Sequence, residues 1–241
     1  MNVPAHGLFA ASTLAAAPAV LTLARFRPMR DRMVMPDVCC DILWVRGRLL
    51  MSGPLSRAVP SRNVGEDVTL LRLSPLTARA HLRAPLKHFT DATVELASVA
   101  PHLARNLERS RDAGQLETLV GSADDLTGAG IDPRSAPAMS ALKRGASVEQ
   151  AAAQVALSAR QLERIFVEEL GLAPKTFARI VRFRRALGAA KRGARLAEAA
   201  AEAGYADQAH FSREVRKLTG SSPGILLPHV GNVQDVVAGR E

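Results

Sequence analysis

The sequence predicts an α+β chain: a small, β-rich mixed N-terminal domain, then an all-α domain in which two helix-turn-helix units are joined by a linking helix. Three observations carry that prediction. Short apolar runs broken by turn residues occupy positions 31–73. A stretch rich in Gly, Pro, Asp and Ser follows at 121–137 and reads as an interdomain connection. Beyond it, one pattern of cap, helix, turn, cap and helix occurs twice. The expected units are residues 1–125, a linker at 126–137, a helical domain at 138–228 and a tail at 229–241.

Composition supports a packed core. Hydrophobic residues make up 47% of the chain and aromatics only 4%, which favours close-packed, Ala-rich helices. Charge is unevenly placed. Residues 1–133 carry 15 Lys/Arg against 13 Asp/Glu, whereas residues 134–228 carry 16 against 8. The basic excess therefore sits in the helical segment, as expected of a surface that meets a polyanion. Cys39 and Cys40 are adjacent; the ring that would close neighbouring cysteines is strained, so a reduced, cytoplasmic protein is expected. The apolar stretch from Met1 to Leu23 has no preceding Lys or Arg, and Pro4 and Pro18 interrupt it. It reads as a helix or strand packed on the first domain, not as a signal peptide or membrane span.

Within the first domain, CCDILWV and RLLMSG are strand-like runs separated by a turn at Arg46-Gly47, and DVTLLRLS is a third. From Pro75 the pattern turns helical. Leu96, Val99, Leu103, Leu107, Leu116 and Leu119 recur at roughly helical spacing, and Pro101 stands near a helix start.

In the first repeated unit Ser147 caps a helix with Glu149 and Gln150 near its start. Small Ala residues on its inner side allow close crossing by a second helix. A turn at Ala156-Leu157 follows, then a second cap, Ser158. The next helix turns Leu162, Ile165, Phe166 and Leu170 inward and leaves Arg160, Gln161, Glu163 and Arg164 outside. Such a face suits base edges in a major groove. In the second unit Gly204 closes the supporting helix and Asp207 caps the next. There Phe211, Val215 and Leu218 point inward; Gln208, His210, Arg213 and Arg216 point out. Between the units runs a helix-length segment carrying Arg179, Arg182, Arg184, Arg185 and Lys191, suited to phosphate contacts. A rigid linking helix that held the two reading helices about 34 Å apart would place both in successive major grooves.

These residues resemble the DNA-binding domain of the AraC/XylS family of transcriptional regulators. The resemblance is carried by Ala151-Ala152, LSARQLERIFVEELGLAPKTF, RFRRAL and LAEAAAEAGYADQAHFSREVRKLTGSSPG, and covers about residues 138–228. The second unit matches at Gly204-Tyr205, Asp207-Gln208, Phe211-Ser212-Arg213 and Thr219-Gly220 through Pro223. It departs at Val215 and at Ile225-Leu226-Leu227. The resemblance implies DNA contacts by Ser158, Arg160, Gln161, Glu163 and Arg164 in one groove. Asp207, Gln208, Ala209, His210, Arg213 and Arg216 would serve in the next. It implies a sequence-specific regulator with double-stranded DNA as partner; a homodimer and RNA polymerase are further expected partners, and no cofactor is expected.

Residues 30–120 resemble an N-terminal domain of some of these regulators, which reads Pro-Asp-Gly-Cys-x-Asp before an apolar strand. Here Val38 stands where Gly is typical, and Leu73-Ser74-Pro75-Leu76 replaces an aromatic-x-Pro-Gly turn. The resemblance implies a domain that senses a small-molecule effector or mediates dimerisation. Cys39 and Cys40, with Asp37, Asp41, His81 and His88 as neighbours, are the candidates for a thiol- or metal-responsive regulator. Strand alternation opposes this, because it turns the two thiols to opposite faces. A nonspecific nucleoid-type binder, a plain helical bundle and an enzyme fused to a DNA-binding tail are the remaining alternatives. The chain shows no H-E-x-x-H, P-loop, G-x-S-x-G or paired C-x-x-C, so no enzyme is expected.

Overall fold

The computed structural model describes residues 20–28, 33–61, 63–82, 84–116 and 130–226. The expectations placed on residues 1–19, on Leu119, on the linker at 126–129 and on the tail at 229–241 lie outside the described residues.

The N-terminal half is an antiparallel five-stranded sheet. Its strands are β1 (Val20–Phe26), β3 (Cys40–Val45), β4 (Arg48–Ser52), β6 (Val68–Leu73) and β7 (Thr93–Glu95), in the order β1-β6-β3-β4-β7. A separate pair joins β2 (Met33–Val34) to β5 (Val59–Pro60). The three expected runs become β3, β4 and β6. The β3–β4 turn is closed by Arg46 at φ 52° and Gly47 at φ 70°, the positive dihedrals that a two-residue hairpin with right-handed strand twist requires. Alternation sends Cys40, Ile42 and Trp44 to one face, where Ile42 stands opposite Leu71 and Cys40 opposite Leu73. Covering that face are α1 (Pro75–Leu82), a 3-10 turn at Leu86–His88, α2 (Leu96–Val99) and α3 (Pro101–Asp112). Pro101 occupies the first position of α3, as expected. β1 continues the apolar N-terminal run, expected to be a helix or strand. Three strands escape the sequence reading: the short β2 and β5, and β7, which lies in a stretch expected to be helical, where Val94 pairs with Met51.

The C-terminal half is helical throughout. Its elements are α4 (Ser135–Arg144), α5 (Val148–Gln154), α6 (Ala159–Leu170), α7 (Pro174–Lys191), α8 (Leu196–Glu202), α9 (Gln208–Thr219) and α10 (Pro223–Leu226). Ser135 to Pro137, expected in the linker, already belong to α4. Phe166, Phe177, Phe183 and Phe211 are fully buried, and Phe166 meets Phe177 edge-on at 5.7 Å. Met35, Val38 and Leu76 from the N-terminal half are buried in this same core. The two halves therefore share an apolar seam. No helix among the described residues is long and apolar enough to cross a membrane.

Candidate nucleic-acid interface

The first unit is built by two matching caps. Ser147 accepts the Gln150 N–H while the Gln150 side chain accepts the Ser147 N–H, and Ser158 and Gln161 repeat the exchange at the start of α6. Such capping boxes satisfy otherwise orphaned N–H groups and fix where each helix begins. Between them Ala156 adopts φ 54°, a left-handed turn made without glycine. The Ala151 and Ala152 side chains are buried where α5 crosses α6. Leu162, Ile165, Phe166 and Leu170 face the core, and Arg160, Gln161, Glu163 and Arg164 are exposed, as the spacing predicts. Gln161 has a double duty: its carbonyl oxygen is committed to the Ser158 N–H and hydroxyl, both at 2.9 Å.

The second unit repeats the layout with different chemistry. Gly204, at φ 80°, turns the chain after α8, and the Asp207 carboxylate accepts the His210 N–H at 2.6 Å. Phe211, Val215 and Leu218 are buried, while Gln208, Ala209, Arg213 and Arg216 are exposed. His210 is half-buried, edge-on to Tyr205 at 5.3 Å.

The linking helix α7 has 18 residues, about 27 Å at 1.5 Å per residue. The seam around it engages several of its cations. Arg179 pairs with Glu214 at 2.9 Å. Arg182 lies over the Tyr205 ring at 5.3 Å, a cation–π contact. Arg184 is half-buried and lowers the electrostatic cost of ionising Asp37. Lys191 is half-buried too. Three of the five phosphate candidates, Arg179, Arg182 and Arg184, thus sit beside internal partners, because α7 is packed against α4, α6, α8 and α9, whereas Arg185 is exposed and donates to the Lys143 carbonyl at 2.8 Å. Burial alone would raise the Glu214 carboxyl. Lys217, Arg179 and His210 outweigh it and hold the group below the usual carboxylate range. Burial raises the Tyr205 hydroxyl to about 12.

Sequence reasoning missed two buried groups. Glu169 turns into the interior, where its carboxylate accepts the Asp132 N–H and the Ser135 hydroxyl; burial pushes it up. It lies next to Leu170 on the inward face of α6, so helical periodicity could have flagged it. Arg72 is buried on β6 between Asp37 at 2.6 Å and Asp41 at 2.8 Å. Its partners are remote in sequence, and no local pattern announces them.

Cys40 belongs to the sheet core and Cys39 is half-buried, as strand alternation predicts. Burial pushes both thiols up, with Asp37 adding at Cys39 and with Cys39 and Asp41 adding at Cys40, away from reactive thiolate character. Asp37 and Asp41 are near Cys39, but among the described residues no group of three or more His, Cys, Asp and Glu side chains is arranged to hold a metal ion. The cavity beside Cys40 is about 10 Å³, room for one water at most. A larger groove of about 390 Å³ lies between Arg57–Pro60 and Arg216–Gly220.

Residues 151–227 match the family model described as a helix-turn-helix domain. No curated protein matches the chain. Among solved structures, the C-terminal domain of AraT, a response regulator from Geobacillus stearothermophilus, is 21% identical, with 43% of this chain and 90% of that chain covered at a TM-score of 0.39. A transcriptional regulator with an AraC-type DNA-binding domain from Chromobacterium violaceum is 25% identical, over 42% of this chain and 95% of that chain, at a TM-score of 0.38. ToxT from Vibrio cholerae is 11% identical, over 89% of this chain and 100% of that chain, at a TM-score of 0.45. Residues 151–227 of this chain are a helix-turn-helix domain.

Proposed function

We propose that the chain is a sequence-specific DNA-binding transcriptional regulator that sets α6 and α9 into successive major grooves of one duplex. The observation that carries this reading is the pairing of two independently capped helices, each with its inner face built into one core. Arg160, Glu163 and Arg164 lie exposed on one helix, and Gln208, Ala209 and Arg213 on the other. Different side chains on the two faces suit an asymmetric site read in two blocks. Arg213 is the strongest base-reading candidate, since a guanidinium reaches two acceptors of guanine at once. The N-terminal half serves as the regulatory part. An effector that acts there is better accommodated at the groove between Arg57–Pro60 and Arg216–Gly220 than inside the sheet core, whose cavity admits no more than a water.

The test is selection of the full chain on a randomised duplex pool at near-physiological salt, followed by sequencing. Enrichment of a site with two informative blocks about 10 bp apart supports the reading. Binding that enriches nothing and vanishes as salt rises identifies a nonspecific binder instead.

A further inference from the structure

One segment of the N-terminal half touches the C-terminal ends of both reading helices. At the end of α6, Gly171 adopts φ 73°, and a Cβ placed on it would lie 2.8 Å from Pro54 Cγ. The Thr90 hydroxyl donates to the Gly171 carbonyl at 2.5 Å, and Lys87 pairs with Glu168 in the last turn. At the end of α9, the Ala58 N–H donates to the Leu218 carbonyl at 2.7 Å. Pro54 and Ala58 are four residues apart, a span of at most about 14 Å even when fully extended. The two helix ends are therefore bridged by a single short piece of chain.

That piece is pinned at its midpoint. Asp91 accepts the Ser56 N–H at 2.7 Å and the Ser56 hydroxyl at 2.5 Å, one on each carboxylate oxygen. The Asp91 N–H in turn donates to the Pro54 carbonyl at 3.0 Å. Asp91 holds φ 57°, a left-handed conformation that Asp and Asn tolerate better than other side chains with a Cβ. It is exposed to solvent and contributes to neither reading helix.

We infer that Pro54–Ala58, pinned by Asp91, is a strut that sets the separation of α6 and α9, which makes Asp91 and Ser56 positioning residues for the DNA spacing the protein accepts. The inference rests on the reading of α6 and α9 as paired DNA readers. The linking helix α7 packs against both α6 and α9 within the shared core. A second tie at the helix ends converts a hinge into a fixed frame, and a fixed frame discriminates between sites whose two blocks differ in spacing.

The experiment uses the full chain and the variants Asp91→Ala, Ser56→Ala and Asp91→Asn. Each is titrated against duplexes carrying the two selected blocks at separations from about 8 to about 12 bp, and against a duplex carrying one block. The wild type is expected to favour one spacing. Asp91→Ala should flatten that preference by about three- to tenfold while leaving single-block affinity unchanged. Ser56→Ala should move in the same direction by less, because the backbone bond to Asp91 survives. Asp91→Asn should keep the wild-type profile, since an amide can accept from the Ser56 N–H and tolerates the same dihedral. A spacing profile unchanged in both Asp91→Ala and Ser56→Ala overturns the strut. A wild type that enriches no two-block site overturns the paired-reader reading and the strut with it.

Discussion

Arg72 and Asp41 stand directly opposite each other on β6 and β3, and the guanidinium closes two hydrogen bonds to the carboxylate, both at 2.8 Å. The remaining edge of Arg72 takes Asp37, which lies within electrostatic reach of Arg184 on α7. A buried sheet arginine is thereby connected through Asp37 to the helix that joins the two helix-turn-helix units.

Removing Arg72 should be costly. Arg72→Met leaves Asp37 and Asp41 with no cation between them in the seam, and breaking a buried charge pair on one side costs about 3–5 kcal/mol. Urea denaturation should show that loss at neutral pH. Its pH dependence has a defined sign. Burial first, with Asp41 adding, raises the Asp37 carboxyl even against Arg72 and Arg184. A raised folded-state value means that stability is full below the unfolded value and falls as pH rises through the folded one. The deficit of Arg72→Met should therefore shrink as the pH is lowered. A deficit below about 1 kcal/mol at neutral pH would show that the two carboxylates find other compensation.

Val38 sits beside that cluster with φ 58° and a buried side chain. A β-branched residue in the left-handed region is strained by about 1–2 kcal/mol, yet burial of its side chain in the helical core contributes about 1.5–3 kcal/mol. Val38→Gly should relieve the first and lose the second, for a net destabilisation of about 1 kcal/mol. Thermal unfolding of the full chain checks this. A variant more stable than the parent would mean that the backbone strain outweighs the packing.

Val38 also shows what the sequence could and could not disclose. The position was readable as one where glycine is typical, but not the reason, a left-handed turn that drives the side chain into the other half of the molecule. Ser147, Ser158, Asp207 and Gly204 were legible because a cap acts within four residues of itself. So were the inward stripes of α6 and α9, whose period is local. The β7 strand was not, because its pairing partner, β4, lies far along the chain. The internal engagement of Arg179 and Arg182 was hidden for a related reason: exposure of a helical arginine depends on which neighbours pack around the helix. Glu214 and Tyr205 come from the other end of the domain.

Arg213 is exposed on the outer face of α9. Arg213→Ala should cost about 1–3 kcal/mol in binding to a selected site and relax the preference at one base position. Arg182→Ala, whose guanidinium rests on Tyr205, should leave base preference untouched and act through the stability of the second unit. Selection on randomised duplexes separates the two. Equal losses for Arg213→Ala on every sequence, with a shallower salt dependence, would move that side chain from base to phosphate.

Glu214 supplies a pH signature for the second unit. Burial pushes its carboxyl up, but the hydrogen bond from Lys217 and the charges of Arg179 and His210 prevail and hold it down. A depressed folded-state value contributes stability that is present above the unfolded value, about 4.3, and is lost as pH falls through the folded one. Acid titration of the full chain, followed by helical signal, should show part of its loss in that window. Glu214→Gln removes the titrating group, so its stability at neutral pH should be lower and its acid limb flatter than the parent's. Because Glu214 holds both Arg179 on α7 and Lys217 on α9, the same variant should loosen the second unit against the linking helix. Amide exchange along α9 should then quicken more than along α6. Equal protection of the two helices in parent and variant would confine Glu214 to local charge balance and remove it from the frame that orients α9.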